Sequence, residues 1–464
     1  MPSEPAAPID PVLHIPFPTS GSYPARWGNK VRPLIDGTTA FRRIHQAIEA
    51  ARHSVWLTVA FILPTFRFPD QAGSLFDVLD RAAARGLDVR VIFWRPRVET
   101  ISYGGTFSGS LAERELLAER GSRFRIRWDR APGAICHHQK SWLIDAGRPT
   151  ELAFVGGMNL NPNALGSPGH PGATERHDLY LEITGPTVTD VHHNFVQRWQ
   201  EASERLLRDG VWGHTGDDDL MFPAVASSPC GVSLVQIQRT VHAGCYCDGH
   251  PTPDGHHCDI AQGEHAIFTQ YRMAIDAARN TIYIENQAIP VPGISARLEA
   301  ALQRGVEVVA LVPAVPEPYV STDRRLSEHR SRFDRLAALD RYENFALVGI
   351  ATRTAEGTRA NIYIHAKVML VDDVWATIGS GNLHAGALFR NTEMNASFWD
   401  PPTVRALRCA LLSEHLQTDT LSLDDRAAFR LYRRIARENR RRLDAGDPDW
   451  QGLAFRLDAA AYGE

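Results

Sequence analysis

The chain has 464 residues, with 50 Lys+Arg against 54 Asp+Glu, 44% hydrophobic and 22% charged residues. That composition excludes a disordered or collagen-like chain and allows about three domains by length. The net charge of −4 gives no overall attraction to polyanions, and six cysteines in so long a chain make no disulfide scaffold.

Residues 1–30 are Pro-rich, with neither a basic nor an apolar leader segment, and are not read as a signal peptide. Residues 38–52 carry helical periodicity and stop at the β-branched and aromatic run Ser54–Ile62. The most apolar uncharged stretch, around Val55 to Phe66, is shorter than the ~20 residues needed to span a bilayer. A second helix is predicted over 74–85, with Gly86 at its C-terminal cap, then a strand over Asp88–Trp94. Arg208 to Cys230, with Gly210, Gly213, Gly216 and Asp217-Asp218-Asp219, reads as a linker. Beyond it come helix 264–279, strand Thr281–Glu285, helix 294–304 and strand Glu307–Val312. The last 45 residues read as helix, with arginines at 430, 433, 434, 437 and 440–442 forming a solvated basic face. Strands alternating with helices predict an α/β fold with mixed sheets flanked by helices.

The second series of elements is a copy of the first. Ala47–Trp56 (AIEAARHSVW) aligns with Ala274–Tyr283 (AIDAARNTIY) at an offset of 227, with five identities in ten positions. Leu79–Val89 aligns with Leu298–Val308 at an offset of 219. Two repeated blocks in one order mark a fused duplicate. The expected domains are a first half over 28–210, a second over 231–417 and a helical extension over 418–464, with the active site between two pseudo-symmetric halves.

The chemistry-bearing residues are also duplicated. His138-Gln139-Lys140, Asp145 and Gly156-Gly157-Met158-Asn159 are matched by His365-Ala366-Lys367, Asp372 and Gly379-Ser380-Gly381-Asn382. The histidines are again 227 apart. Side chains at i and i+2 of a strand share a face, so His and Lys project together, and this parity selects His138 over His137. Two lysines and two asparagines offer converging donors for one phosphoryl group. Two imidazoles supply a nucleophile and an acid–base group near neutral pH.

At these residues the sequence resembles the phospholipase D superfamily, whose signature is a duplicated His-x-Lys-x4-Asp followed by a Gly-Ser-x-Asn-like turn. Gly157 departs from that pattern, where the family often has Ser. Ile282–Gln287, His177-Asp178 with Gly185-Pro186, Phe195 and Arg198-Trp199, and Leu407-Arg408 with Glu414-His415-Leu416 resemble flanking blocks of phospholipases D proper. The resemblance implies His138 as nucleophile and His365 as acid and then base, with Asp178 and Glu393 orienting them. It further implies Lys140, Lys367, Asn159, Asn382 and Ser380 on the phosphate, and Asp145 and Asp372 in structural roles. Glu285 is left open between a site role and a structural one.

A Gly/Pro-rich loop carries Cys245, Cys247, His250, His256, His257 and Cys258. Cys245, Cys247, His257 and Cys258 could close a structural zinc site; a disulfide or a merely polar loop are the alternatives. No metal is expected in catalysis. The expected activity is hydrolysis of glycerophospholipids such as phosphatidylcholine to phosphatidic acid, with transphosphatidylation, by a monomer peripheral to a membrane or micelle and cytoplasmic. Cardiolipin synthase-type phosphatidyl transfer is the alternative, ahead of a nuclease or a non-catalytic lipid-binding protein. No nucleic-acid partner is expected.

Overall fold

Strands that lie inside a parallel sheet are covered on both faces and so read as unbroken apolar runs. Ser54–Val59 is such a run, every residue buried, and its repeat Thr281–Asn286 is buried throughout. The computed structural model describes residues 14–96, 107, 109–131, 135–172, 175–203 and 218–464. The start of the expected linker and the end of the expected first domain lie outside them.

In the first half the order is β1 (Arg26–Ile35), α1 (Gly37–Ala50), β2 (Ser54–Val59), α2 (Leu75–Ala84), β3 (Asp88–Arg95), α3 (Leu111–Glu119) and β4 (Arg125–Arg130). Then follow β5 (Ser141–Ile144), β6 (Leu152–Gly156), β7 (Arg176–His177), β8 (Leu179–Thr184) and α4 (Val188–Glu201). The second half runs β9 (Ser233–Val241), β10 (Glu264–His265), α5 (Ala266–Ala277), β11 (Thr281–Asn286), α6 (Pro292–Gln303) and β12 (Glu307–Leu311). It continues with α7 (Pro318–Arg325), α8 (Arg330–Leu339), β13 (Phe345–Arg353), β14 (Arg359–Asn361), β15 (Tyr363–Ile364), β16 (Lys367–Val371) and β17 (Trp375–Gly379). The last elements are α9 (Ala385–Phe389), β18 (Glu393–Trp399), α10 (Pro401–Leu416), α11 (Asp425–Asp444) and β19 (Ala454–Arg456).

The first sheet has strand order β4-β3-β2-β5-β6-β8-β1. The second repeats it as β13-β12-β11-β16-β17-β18-β9. In each, three parallel strands meet four antiparallel ones, and the start of β1 pairs with β9 to join the two. One core is shared between the halves, with Leu181 and Val155 beside Ile378 and Ala396. Each sheet also has its own outer core, under α1 and α2 on one side and under α5, α6 and α8 on the other.

The C-terminal segment departs from expectation. It is not helical throughout: α11 ends at Asp444, and β19 adds an antiparallel strand to β13, with Gly349 opposite Phe455. Tertiary pairing decides this, since three residues carry no periodicity of their own. The segment is part of the second half, with Phe429, Tyr432 and Ala436 of α11 in the shared core.

Candidate active site

Two short parallel contacts stitch the halves together where the motifs lie. β7 pairs with β15, placing His177 opposite Ile364, and His137 bridges to Thr392. The next residue along each of these four segments is a site residue: Asp178, His365, His138 and Glu393. The backbone N–H of His365 donates to His177 O (2.9 Å), and that of His138 to Thr392 O (2.8 Å).

The side chains then pair across the interface. His138 Nδ1 lies 2.9 Å from Glu393 Oε2, and His365 Nδ1 lies 2.6 Å from Asp178 Oδ2. Each half therefore supplies the imidazole of one dyad and the carboxylate of the other. All four residues are buried. His137 turns away, its Nδ1 on the Thr392 hydroxyl and its Nε2 toward Asp129. The residue between His and Lys packs behind, where Gln139 accepts from Asn194 and Arg198.

Lys140 Nζ donates to His138 O (2.7 Å). Lys367 Nζ donates to His365 O and to Gln287 Oε1, the latter at 3.1 Å. Asn159 approaches His365 Nε2 at 3.4 Å, and Asn382 approaches Gln287 Oε1 at 3.5 Å. The Oδ1 atoms of both asparagines are buried and make no hydrogen bond. Gln287 carries no individual sequence signal, although it closes the family-like segment Ile282–Gln287 directly after β11. Its neighbour Asn286 holds the segment by accepting from Ala288 N and Leu383 N.

Ser380 is placed differently from expectation. Its hydroxyl donates to Glu393 Oε2 at 2.6 Å and accepts from Met394 N, so it positions the carboxylate rather than facing phosphate. Gly157 is its counterpart. A Cβ there would lie 2.6 Å from Asp178 Oδ1, so the missing side chain makes room for that carboxylate. Asp145 and Asp372 both have positive φ and bind the helix–strand junction of their own half. Asp145 Oδ1 accepts from the N–H groups of Arg52, His53 and Ser54, while Asp372 accepts from Arg279, Asn280 and Thr281. These are the repeated sequence blocks, and the aspartates are joints of the scaffold. Glu285 is fully buried, accepting from the Tyr283 hydroxyl and lying 3.1 Å from His177 Nε2, behind the site.

The electrostatics separate the two dyads. Burial pushes the Lys140 ammonium down to about 8 and Lys367 to about 7. Burial also lowers both imidazoles, His365 more strongly because Lys367, Arg176 and Lys140 add repulsion. Burial raises the Asp178 carboxyl to about 7. For Glu393, burial is outweighed by His138, Lys140 and the Ser380 hydroxyl, which hold it below the usual range. An ionised Glu393 accepts the hydrogen bond of the Nδ1–H of a neutral His138 and so leaves Nε2 with a bare lone pair. The tightly coupled His365–Asp178 pair keeps one proton more up to about pH 7 and can present it at Nε2.

The ligand-type side chains of the Cys/His loop are not gathered at one point. Among the described residues, no three of its ligand-type side chains have ligand atoms within 4.8 Å of one another, and its cysteines are free. Cys245 packs beside buried Tyr246, Val241 and Ile260, whereas Cys247 is exposed. The loop is fastened to α4 by other means, with Glu201 on Cys247 N and Asp248 N, and His193 on His250 O.

Two intact His/Lys/Asn sets, each completed by a carboxylate from the other half of a duplicated α/β fold, define an enzyme of the phospholipase D superfamily, a phosphodiesterase or phosphatidyltransferase. The family described as "Cardiolipin synthase, PLD-like domain" matches residues 44–199 and 271–413, and the chain belongs to it. Cardiolipin synthase A of Pseudomonas entomophila is 26% identical over 410 residues, covering 88% of this chain and 73% of that protein. Phospholipase D A of Dictyostelium discoideum is 25% identical over 463 residues, covering 82% of this chain but 34% of that protein. The solved phosphatidylserine synthase of Haemophilus influenzae superposes with a TM-score of 0.53 at 13% identity, covering 89% of this chain and 94% of its own, a likeness of fold alone.

Proposed function

We propose that the protein is a phosphatidyltransferase of the cardiolipin synthase type, which passes the phosphatidyl group of one phospholipid to a lipid alcohol such as phosphatidylglycerol. The matched family and the similar synthases move the balance from hydrolysis to transfer. The observation that carries the reading is the crossed pair of unequal dyads. His138 Nε2 attacks phosphorus, and the departing alkoxide takes the proton from His365 Nε2. A phosphohistidine remains, and His365, now neutral, removes the proton of the acceptor hydroxyl as that oxygen displaces the histidine. Lys140, Lys367, Asn159 and Asn382 hold the phosphoryl oxygens through both displacements. The histidines and lysines are at most 8% exposed, which favours a bound alcohol over bulk water in the second step.

The test is incubation with phosphatidylglycerol alone, and separately with phosphatidylcholine and ethanol, with products read by mass spectrometry. Cardiolipin and free glycerol from the first are expected. Phosphatidic acid, or phosphatidylethanol from the second with no cardiolipin from the first, would restore the hydrolase reading. Labelled substrate should mark His138 in an acid-trapped digest, and His138→Ala should give neither label nor turnover. Label on a peptide holding His365 instead would reverse the two roles.

A further inference from the structure

Directly behind the His365–Asp178 dyad lies a second group of titratable side chains with no part in the chemistry above. Asp36, at the start of α1, His170 and His177 are each fully buried, and their ligand-type atoms lie within 4.8 Å of one another. His170 Nε2 is 3.2 Å from His177 Nδ1 and 3.5 Å from Asp36 Oδ2, and His177 Nδ1 is 2.9 Å from Asp36 Oδ1. These separations match the edges, about 3.3 Å, of a tetrahedron with metal–ligand bonds of about 2.0–2.1 Å. Hydrogen bonds engage both nitrogens of His177 but leave the rest of the cluster short of partners: two ring nitrogens face each other at 3.2 Å, Asp36 Oδ2 accepts no hydrogen bond, and His170 Nδ1 makes none, with Glu175 Oε2 3.8 Å away.

We propose that Asp36 Oδ, His170 Nε2 and His177 Nδ1 bind a structural divalent transition-metal ion of the zinc type. Two imidazoles and a carboxylate are its donor set. The outer shell is already built: His177 Nε2 lies 3.1 Å from Glu285 Oε2, which also accepts from the Tyr283 hydroxyl, the carboxylate–histidine–metal relay that fixes a ligand's tautomer. Glu414 Oε1, which accepts from Gly169 N, is a further carboxylate oxygen 3.6 Å from His170 Nε2. The ion would displace the Nδ1 proton of His177 and compensate the Asp36, Glu285 and Glu414 carboxylates. Its place in the fold gives it a purpose. His177 O receives the backbone N–H groups of His365 and Ala366, and Asp178 is the next residue, so a pinned His177 pins one dyad.

The test is elemental analysis of the full-length protein purified without a polyhistidine tag or chelator. About one transition-metal ion per chain is expected, falling at least five-fold in His170→Asn. Asparagine tolerates the left-handed backbone at this position (φ 47°). The Cys247→Ser/Cys258→Ser double variant should keep its metal. Chelated protein given Co²⁺ should gain visible d–d absorption and a higher Tm, and His170→Asn should gain neither. Substoichiometric metal together with no cobalt spectrum would overturn the proposal. So would metal that survives His170→Asn but is lost with the cysteines.

Discussion

Gly157 and Ser380 occupy equivalent positions and do opposite things to their carboxylates. Ser380 reaches Glu393 with a hydroxyl, and Gly157 leaves space that Asp178 fills. Restoring the repeat by Gly157→Ser should therefore harm the enzyme. The new Cβ would sit 2.6 Å from Asp178 Oδ1, and misplacing a catalytic group by about 1 Å costs on the order of 100-fold in rate. The measurement is kcat beside Tm, with the loss expected in kcat. Ser380→Ala removes one hydrogen bond to an ionised carboxylate and should cost about 10–100-fold. Acid–base behaviour belongs to this scale as well. With Lys367 and the Asp178 carboxyl both near 7 and Lys140 near 8, raising the pH through 7–8 strips the protons that bind phosphate and protonate the leaving group. His138 is lowered, so it stays neutral down to below its ordinary value of 6.5. The profile of kcat/KM should thus fall above pH 7–8 and hold down to about 6.5. Bound phosphate anion favours the ammonium forms, so the basic limb of kcat should lie higher than that of kcat/KM. A kcat/KM still climbing at pH 9 would contradict these assignments.

At the level of elements, the repeat made helices α1, α2, α5 and α6 and strands β2, β3, β11 and β12 legible, because periodicity and a second copy spoke together. The His/Lys/Asn sets were legible for the same reason. The partners of the histidines were assigned only through the family resemblance. Asp178 is 187 residues from His365, and Glu393 is 255 from His138, so no local pattern connects them. The crossing itself is a property of docked sheets. Gln287 was missed because a lone amide after a strand carries no signal until Lys367 and Asn382 are seen to converge on it. β19 was read as helix because it trails the strongly amphipathic α11, and only its pairing with β13 makes it a strand. That pairing has a consequence for stability. Ending the chain after Asp444 removes buried Trp450, Leu453, Phe455 and Tyr462 and bares the edge of β13. Thermal melting of that variant should show a Tm lower by more than ~5 °C. Light scattering should show concentration-dependent association through the freed edge.

For the molecule as a whole, the shared core and the crossed dyads bring both halves of the site together within one chain. Mixing a His138→Ala chain with a His365→Ala chain should restore no activity, because each retains one broken dyad and neither lends the other a half. Recovery of turnover in the mixture would point to exchange of halves between chains. Among the described residues no helix is long and apolar enough to cross a membrane.

The crossing also sets a clock on activity during synthesis. Chains leave the ribosome N-terminus first at about 5–20 residues per second. His138 and its lysine emerge long before Glu393, which follows 255 residues later, an interval of about 13–50 s at that pace. Throughout it the nascent first half has an imidazole with no carboxylate to set its tautomer, and no acid for a leaving group. Competence to break a phosphodiester is thus expected only after the second copy has been made and docked.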